Sequence, residues 1–374
     1  MTNVFVYGTL RHVPLLAAVL GKDQESLDLR TGCLSKHDVF AVKGQDFPIL
    51  KPSGGQAEGL FIGDLSDTEV ERLRFYEGSY DYDLTDVSVT VDGTEHPARV
   101  FKSENAGWIP DGPWSLDNWA ARFGEVTVLR AVEEMSYFGQ RSRAKVDWML
   151  PLIKARATAK MQAKRRNDAV SPSGMTAADV GDVSLSRPYA EYFTLEEYGL
   201  TFRRYDGSQS EKVKRAVFVA TDAVILLPYD PVRDRVLLIE QFRPGPFARG
   251  DDLPWQLEPI AGRLDAEESP ESCARREAQE EAGLALLELH EVANCYASPG
   301  CSTEYFNIYV GLADLPDDVE GVSGLEQEAE DIRSYVYSFD ALMQMVDRKQ
   351  IVNAPLVLAA LWLARHRDRL RGTA

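Results

Sequence analysis

Cysteine and histidine are scarce in this chain, with four and five among 374 residues. Cys33, Cys273, Cys295 and Cys301 form no CxxC pair. That excludes a zinc ribbon and a dithiol redox motif, and predicts reduced thiols in a cytoplasmic protein. The histidines have no ligand spacing either. Long apolar runs are missing too. The longest, near Leu356–Ala364, falls well short of the ~20 residues a membrane helix needs and reads as a buried terminal helix. The opening MTNVFVYGTLRH has no basic flank followed by an apolar core, so no secretory leader is expected. Positive charge is in deficit: Lys and Arg number 41 against 59 Asp and Glu, a net charge of −18. Such a chain repels a phosphate backbone, which argues against nucleic acid or an anionic membrane as partner. A small anionic substrate stays open, because a bound metal and a few arginines invert the local field. The length suggests two domains.

What the chain does have is GRLDAEESPESCARREAQEEAGL, from Gly262 to Leu284. It reads as loop, helix, loop. Ser269 suits the N-cap, Pro270 the first helical position, Glu271 the first turn and Gly283 a left-handed stop. Glu277, Glu280 and Glu281 then fall at i, i+3 and i+4, on one face. Carboxylates so placed repel unless a cation sits among them. Oxygen ligands without His or Cys point to Mg²⁺ or Mn²⁺. Arg276 can orient one carboxylate by a charge-assisted pair. Ala274 and Ala278 leave the opposite face small enough to lie close to a sheet. A row of Glu on a helix is by itself usually a solvated face. The fixed positions of Gly262, Glu268, Arg276 and Gly283 point to a site instead.

The stretch resembles the Nudix box at each defined position. That implies water attacking a phosphorus in a nucleoside diphosphate linked to another group, with metals neutralising charge. Glu277 and Glu281 are the first ligands, with the carbonyl of Ala261 close by; Glu280 is a further ligand or an orienter. Ser298-Pro299-Gly300 follows, with Pro299 16 residues after Gly283, a spacing similar to the ADP-ribose pyrophosphatase branch. The likeness extends over about residues 190–370, through Leu226-Leu227-Pro228, Arg235 to Gln241, Trp255 and Glu330-Asp331-Ile332. The resemblance implies hydrolysis of ADP-ribose to AMP and ribose 5-phosphate, and a homodimer formed through this domain by exchange of strands within Tyr192–Gly207. It makes residues 324–330 a mobile loop, with Glu328 as the water-activating base and Glu330 reaching a metal. It sets Arg215 and Arg243 on the diphosphate or adenosine part, Glu304 on a ribose and Tyr192 against adenine.

At the other end, a β-rich run ends at Tyr7-Gly8-Thr9-Leu10, a turn whose N–H groups face an anion. A strand at Glu58–Leu65 and a helix at Ser66–Phe75 lead to Tyr76-Glu77-Gly78. Asp86–Phe101 reads as a hairpin turning at Asp92-Gly93. The YGTL turn followed by Glu77-Gly78 resembles the γ-glutamylcyclotransferase-like (AIG2-like) family over roughly residues 1–125. That implies a small β-barrel with flanking helices, with Tyr7, Gly8, Thr9 and Leu10 holding a γ-glutamyl group. Glu77 is then the acid/base in release of 5-oxoproline, suited to it by a raised pKa. The family often carries Tyr-x-Arg nearby; here Tyr82 is followed by Asp83 and Leu84.

Between the two, residues 126–184 read as a helical extension and linker. Its basic run, Arg141 to Arg166, reads as a solvated helix docked on the acidic remainder. Residues 185–374 form the second domain: a small sheet opening at Tyr192, strong strands at Val217–Leu227 and Arg235–Phe242, then Asn307–Val310 and Ser334–Phe339, and two closing helices. The expected fold is α+β in the first domain and an α/β/α sandwich in the second. The two-domain arrangement resembles fusion proteins linked with tellurite resistance.

Overall fold

The computed structural model describes residues 1–78, 82–102, 107–165, 170–266, 268–323 and 331–372. They fall into two units, Met1–Ala169 and Val170–Ala374.

The first unit opens with β1 (Thr2–Val6), a 3-10 turn at Thr9–Arg11 and α1 (Val13–Leu20). There follow β2 (Leu29–Val42), β3 (Pro48–Leu65), α2 (Asp67–Glu77), β4 (Asp83–Val91), β5 (Thr94–Lys102) and β6 (Pro110–Pro113). Then come α3 (Leu116–Trp119), a π turn at Ala120–Gly124, α4 (Glu125–Met135) and α5 (Arg143–Arg165). The sheet order is β3-β1-β5-β4-β2-β6, and β2 also pairs with β3, which closes a barrel. Alternation along β1 explains its two cores. Phe5 points into the barrel with Leu50, Phe61, Val89 and Val100. Val4 and Val6 face outward onto Leu15, Leu16, Leu73 and Met135 of the helices. Each fully buried aliphatic side chain there contributes about 1.5–3 kcal/mol. The start of α2 is fixed by a capping box: Glu69 N donates to Ser66 Oγ and Ser66 N to Glu69 Oε2. The other end of this helix carries Glu77.

The basic run departs from expectation. Helix α5 docks, on α4 inside the first unit, but it is not solvated throughout. Arg156 is buried, not solvated, and its Nη2 donates to Glu133 Oε1 at 2.6 Å. Arg143 and Arg165 pair with Glu134 and Glu125. These three arginines are paired within the first unit.

The second unit begins with β7 (Val180–Ala190), β8 (Thr194–Phe202) and β9 (Val213–Val219), a three-stranded antiparallel sheet. The larger part contains β10 (Ala223–Asp230), β11 (Arg235–Phe242), α6 (Pro244–Arg249), β12 (Trp255–Glu258), β13 (Ile260–Arg263) and α7 (Pro270–Ala282). It continues with β14 (Leu286–Tyr296), β15 (Tyr305–Ala313), β16 (Val322–Ser323), β17 (Ile332–Ser338), α8 (Phe339–Asp347) and α9 (Ala354–Gly372). The path β14-β15-β10-β11-β17-β16 makes one mixed sheet, with β12 on β11 and β13 on β10. Strand β10 is buried on both faces, which is why it reads as an unbroken apolar run. Val224 and Leu226 meet α7, while Ile225 and Leu227 meet α8 and α9. The stretch Val217–Leu227, expected as one strand, is two strands in different sheets, parted at Ala220–Asp222. Among the described residues no helix is long and apolar enough to cross a membrane.

Candidate functional site

Helix α7 is fixed at both ends. Ser269 Oγ accepts from Ser272 N at 3.2 Å, Pro270 takes the first position, and Gly283 closes the helix in the left-handed region at φ 63°. Ala274 and Ala278 are fully buried against the sheet. That close approach presses Glu277 and Glu281 towards β13, and both are buried. Glu281 Oε2 accepts from the Ala261 N–H at 3.3 Å. Gly262 makes room for Glu277: a Cβ there would lie 1.8 Å from Glu277 Oε1.

Arg276 ties the carboxylates together. Its Nη1 donates to Glu277 Oε1 at 2.6 Å and Glu280 Oε2 at 2.9 Å. Its Nε and Nη2 fork onto Glu268 at 3.0 and 2.9 Å, and Nη2 also reaches the Arg263 carbonyl. Burial opposes ionisation of Glu268, but the Arg276 fork and the Asp265 N–H outweigh it and hold that carboxyl below its usual range. Burial, followed by the charges of Glu268 and Glu277, pushes the Cys273 thiol far above its ordinary range, so it is an inert core residue.

Among the described residues no three His, Cys, Asp or Glu side chains are grouped to hold an ion. Glu328 and Glu330 lie outside the described residues. The donor set fits a hard divalent cation all the same. Two buried carboxylates one turn apart offer oxygen alone, in a recess that any side chain at position 262 would fill.

A second group gathers near the entry to this stretch. Arg243 Nε and Nη2 each reach Glu258 Oε2 at 2.8 Å. Burial raises the Glu304 carboxyl, and the charge of Arg243 draws it partly back. The guanidinium of Arg263 stands 5.1 Å from the centre of the Tyr192 ring, which meets Phe193 edge-on. Arg215 stands apart: it is exposed on β9 and donates to the Lys214 carbonyl. Glu258 and Arg263 were not singled out from the sequence. Their signal was position, since they flank Ala261-Gly262 on the two short strands leading into α7.

In the first unit, Tyr7, Gly8, Thr9, Leu10 and Glu77 line one narrow pocket of about 30 Å³, with Phe47, Pro48, Tyr82 and Phe101. The Tyr82 hydroxyl donates to the Pro48 carbonyl at 2.7 Å. Glu77 is 8% exposed. Burial first, then the charge of Glu134, pushes its pKa up to about 8, against the pull of Arg130. Burial and the charge of Glu77 likewise raise the Tyr7 phenol.

Residues 219–358 match the NUDIX domain family and residues 4–116 the family of gamma-glutamyl cyclotransferase, AIG2-like. The ADP-ribose pyrophosphatase of Escherichia coli K12 is 40% identical over 193 residues, 52% of this chain and 91% of that protein. The chain belongs to the Nudix family. The ADP-ribose pyrophosphatase of Haemophilus influenzae is 33% identical over 47% of this chain and 81% of its own. The GDP-mannose pyrophosphatase of Escherichia coli HS is 31% identical over 46% and 88%. A solved structure of an ADP compounds hydrolase, 22% identical, aligns at a TM-score of 0.40 over 52% of this chain and 95% of that one. The protein is therefore a Nudix diphosphatase carrying an N-terminal AIG2-like domain.

Two expected results follow from the geometry. In the Nudix domain, Gly262→Ala forces Glu277 off β13, so kcat for diphosphate cleavage drops by at least about tenfold. Steady-state kinetics at wild-type values would show that the close approach is not maintained in solution. In the AIG2-like domain, Glu77 binds its proton more tightly folded than unfolded, since its pKa rises from 4.5 to about 8. Its contribution to stability is therefore full below pH 4.5 and is lost as pH rises towards 8. Glu77→Gln flattens that slope. Urea midpoints measured from pH 4.5 to 8.5 check this, and parallel curves for the two proteins count against it.

Proposed function

We propose that the Nudix domain hydrolyses the diphosphate of ADP-ribose to AMP and ribose 5-phosphate, with Mg²⁺ as the divalent ion. The observation that carries this reading is the buried pair Glu277 and Glu281 facing Ala261-Gly262, in a chain 40% identical over 193 residues to an ADP-ribose pyrophosphatase. Glu277 and Glu281, with the Ala261 carbonyl, would hold the ion; when bound it neutralises diphosphate charge and lowers the pKa of water. The chain's own residues do the rest. Arg276 orients Glu277 and Glu280. Arg243, held by Glu258, supplies positive charge beside Glu304, suited to a diphosphate and a ribose hydroxyl. Tyr192 offers a ring for a base. By the family resemblance, Glu328 would take the proton of the attacking water as its oxygen bonds to phosphorus and the P–O–P bridge breaks, and Glu330 would be a further ligand of the ion. The exposed apolar side chains Val183, Leu185, Tyr189 and Tyr192 on β7 and the turn after it support a homodimer through this domain; sedimentation at the monomer mass would remove that part.

Incubation with ADP-ribose and Mg²⁺, followed by product analysis, tests the reading. AMP and ribose 5-phosphate in equal amounts are expected. Cleavage of GDP-mannose in preference would transfer the site to another nucleotide sugar.

A second activity is favoured by Glu77, a buried carboxyl titrating near 8 in the pocket of Tyr7 to Leu10. It suits a proton shuttle as an α-amine attacks a γ-glutamyl carbonyl: the amine proton passes to Glu77 and on to the leaving amine, releasing 5-oxoproline. Release of 5-oxoproline from γ-glutamyl amines, abolished in Glu77→Gln, is expected. Equal release by both proteins would exclude Glu77.

A further inference from the structure

Helix α5 lies wholly beyond residues 4–116, the segment that matches the cyclotransferase family. Its first residue nevertheless reaches back to the turn of α2 that carries Glu77. Arg143 Nη1 donates to the Phe75 carbonyl at 2.8 Å and to Glu134 Oε1 at 2.7 Å. Its Nε and Nη2 donate to Asp147 Oδ1 at 2.9 and 2.8 Å. The guanidinium stands 5.0 Å from the centre of the Phe75 ring, and its stem carbons lie 3.8 Å from where a Cβ on Gly78 would be. Phe75 and Gly78 bracket Glu77 in the chain. The Phe75 carbonyl belongs to the last turn of α2, whose carbonyls lack intrahelical donors. Arg143 supplies one.

The same side chain pairs with a buried carboxylate. Glu134 is buried, with Arg143 on one oxygen and Arg130 Nε 3.6 Å from the other. Arg130 Nη2 also donates to the Tyr76 hydroxyl at 2.9 Å. Among the described residues the ionisable groups around Glu77 are Tyr7 after β1, Tyr82 before β4 and Arg130 and Glu134 on α4. Arg143 and Asp147 on α5 stand behind them.

We propose that Arg143 is a positioning residue for Glu77, clamping the C-terminal turn of α2 and pairing with the Glu134 carboxylate. The appended helix is then part of the N-terminal site. This rests on the second reading, in which Glu77 carries the proton. Without Arg143 the Glu134 anion is balanced by Arg130 alone, so a negative Glu77 is harder to form. Without the Glu134 charge, Glu77 faces Arg130 with no competing anion and ionises more readily.

The test is a pH titration of the full-length protein labelled with ¹³C-carboxyl glutamate. The Glu77 resonance is assigned by its absence from Glu77→Gln. Arg143→Met is expected to move its midpoint up by about one pH unit and Glu134→Gln down by about one unit. Arg143→Lys restores most of the wild-type value. The pH profile of 5-oxoproline release moves in step, with kcat changing more than KM. A midpoint unmoved by Arg143→Met overturns the proposal, whatever Glu134→Gln does. If Arg143→Met does not fold, Arg143→Gln, which keeps donors for the Phe75 carbonyl but no charge, takes its place: an upward shift supports the proposal and a fixed midpoint ends it. A moving midpoint with no 5-oxoproline from wild type removes the activity and keeps the positioning role. Release of 5-oxoproline with a fixed midpoint does the reverse.

Discussion

Glu281→Gln is expected to lower kcat for diphosphate cleavage by about 10² or more, a loss of roughly 3 kcal/mol of transition-state stabilisation. The side chain is 3% exposed and one helical turn beyond Glu277. A glutamine keeps its shape, and the amide oxygen can still accept from the Ala261 N–H now bound at 3.3 Å. What disappears is one full negative charge, which a divalent ion needs in a site with so few ligands. Folding stability stays level or rises, because a like charge leaves the face shared with Glu277 and Glu280. Kinetics at saturating Mg²⁺ beside a thermal melt make the check. Activity within a few-fold of wild type would mean that Glu281 holds β13 and not an ion.

The largest effect on stability is expected at Arg156→Met. Arg156 and Glu133 are almost wholly buried, 2% and 4% exposed at the side chain, with a 2.6 Å bond between them. Removing the guanidinium strands a carboxylate in the interior, which costs about 3–5 kcal/mol. Methionine fills much of the vacated volume, so the loss is electrostatic more than a cavity effect. Adding Glu133→Leu to the same chain restores most of it, since an apolar pair of similar size replaces the ion pair without a stranded charge. Hydrogen exchange at the α4 and α5 amides localises the effect within the full chain. Unchanged protection in Arg156→Met would show that water reaches Glu133.

The parts of the site legible in the sequence were those fixed by local chemistry. Ser269, Pro270 and Gly283 set the ends of α7, and helical spacing alone put Glu277 beside Glu281. Asp92-Gly93 set the hairpin of β4 and β5. Tyr7 to Leu10 and Glu77 share a pocket although the strand and helix that carry them lie far apart in sequence. What stayed hidden depends on long-range pairing. Strand β2 and the first half of β3 carry Gly32, Pro52, Gly54 and Gly55 among polar residues, and only pairing with each other and closure of the barrel make them strands. Strand β14 is half exposed along its length, so its alternation is blurred. Val217–Leu227 is β-prone throughout, and nothing local marks the step between sheets at Ala220–Asp222. The basic residues of α5 misled for a related reason: composition counts charges, and only packing reveals that Glu133 and Glu134 lie opposite them.

The fork of Arg276 bears on more than orientation. Glu268, Glu277 and Glu280 crowd around one guanidinium that bonds to all three. It is a resident counterion, covalently part of the helix it neutralises. Many small metal domains collapse when their ion is withdrawn, because the ion itself gathers the ligands. Here the helix can close on its own countercharge first. With the divalent ion of the proposed reaction, chelation is then expected to silence cleavage without unfolding the domain, so the thermal melt stays level while activity falls and returns with the ion.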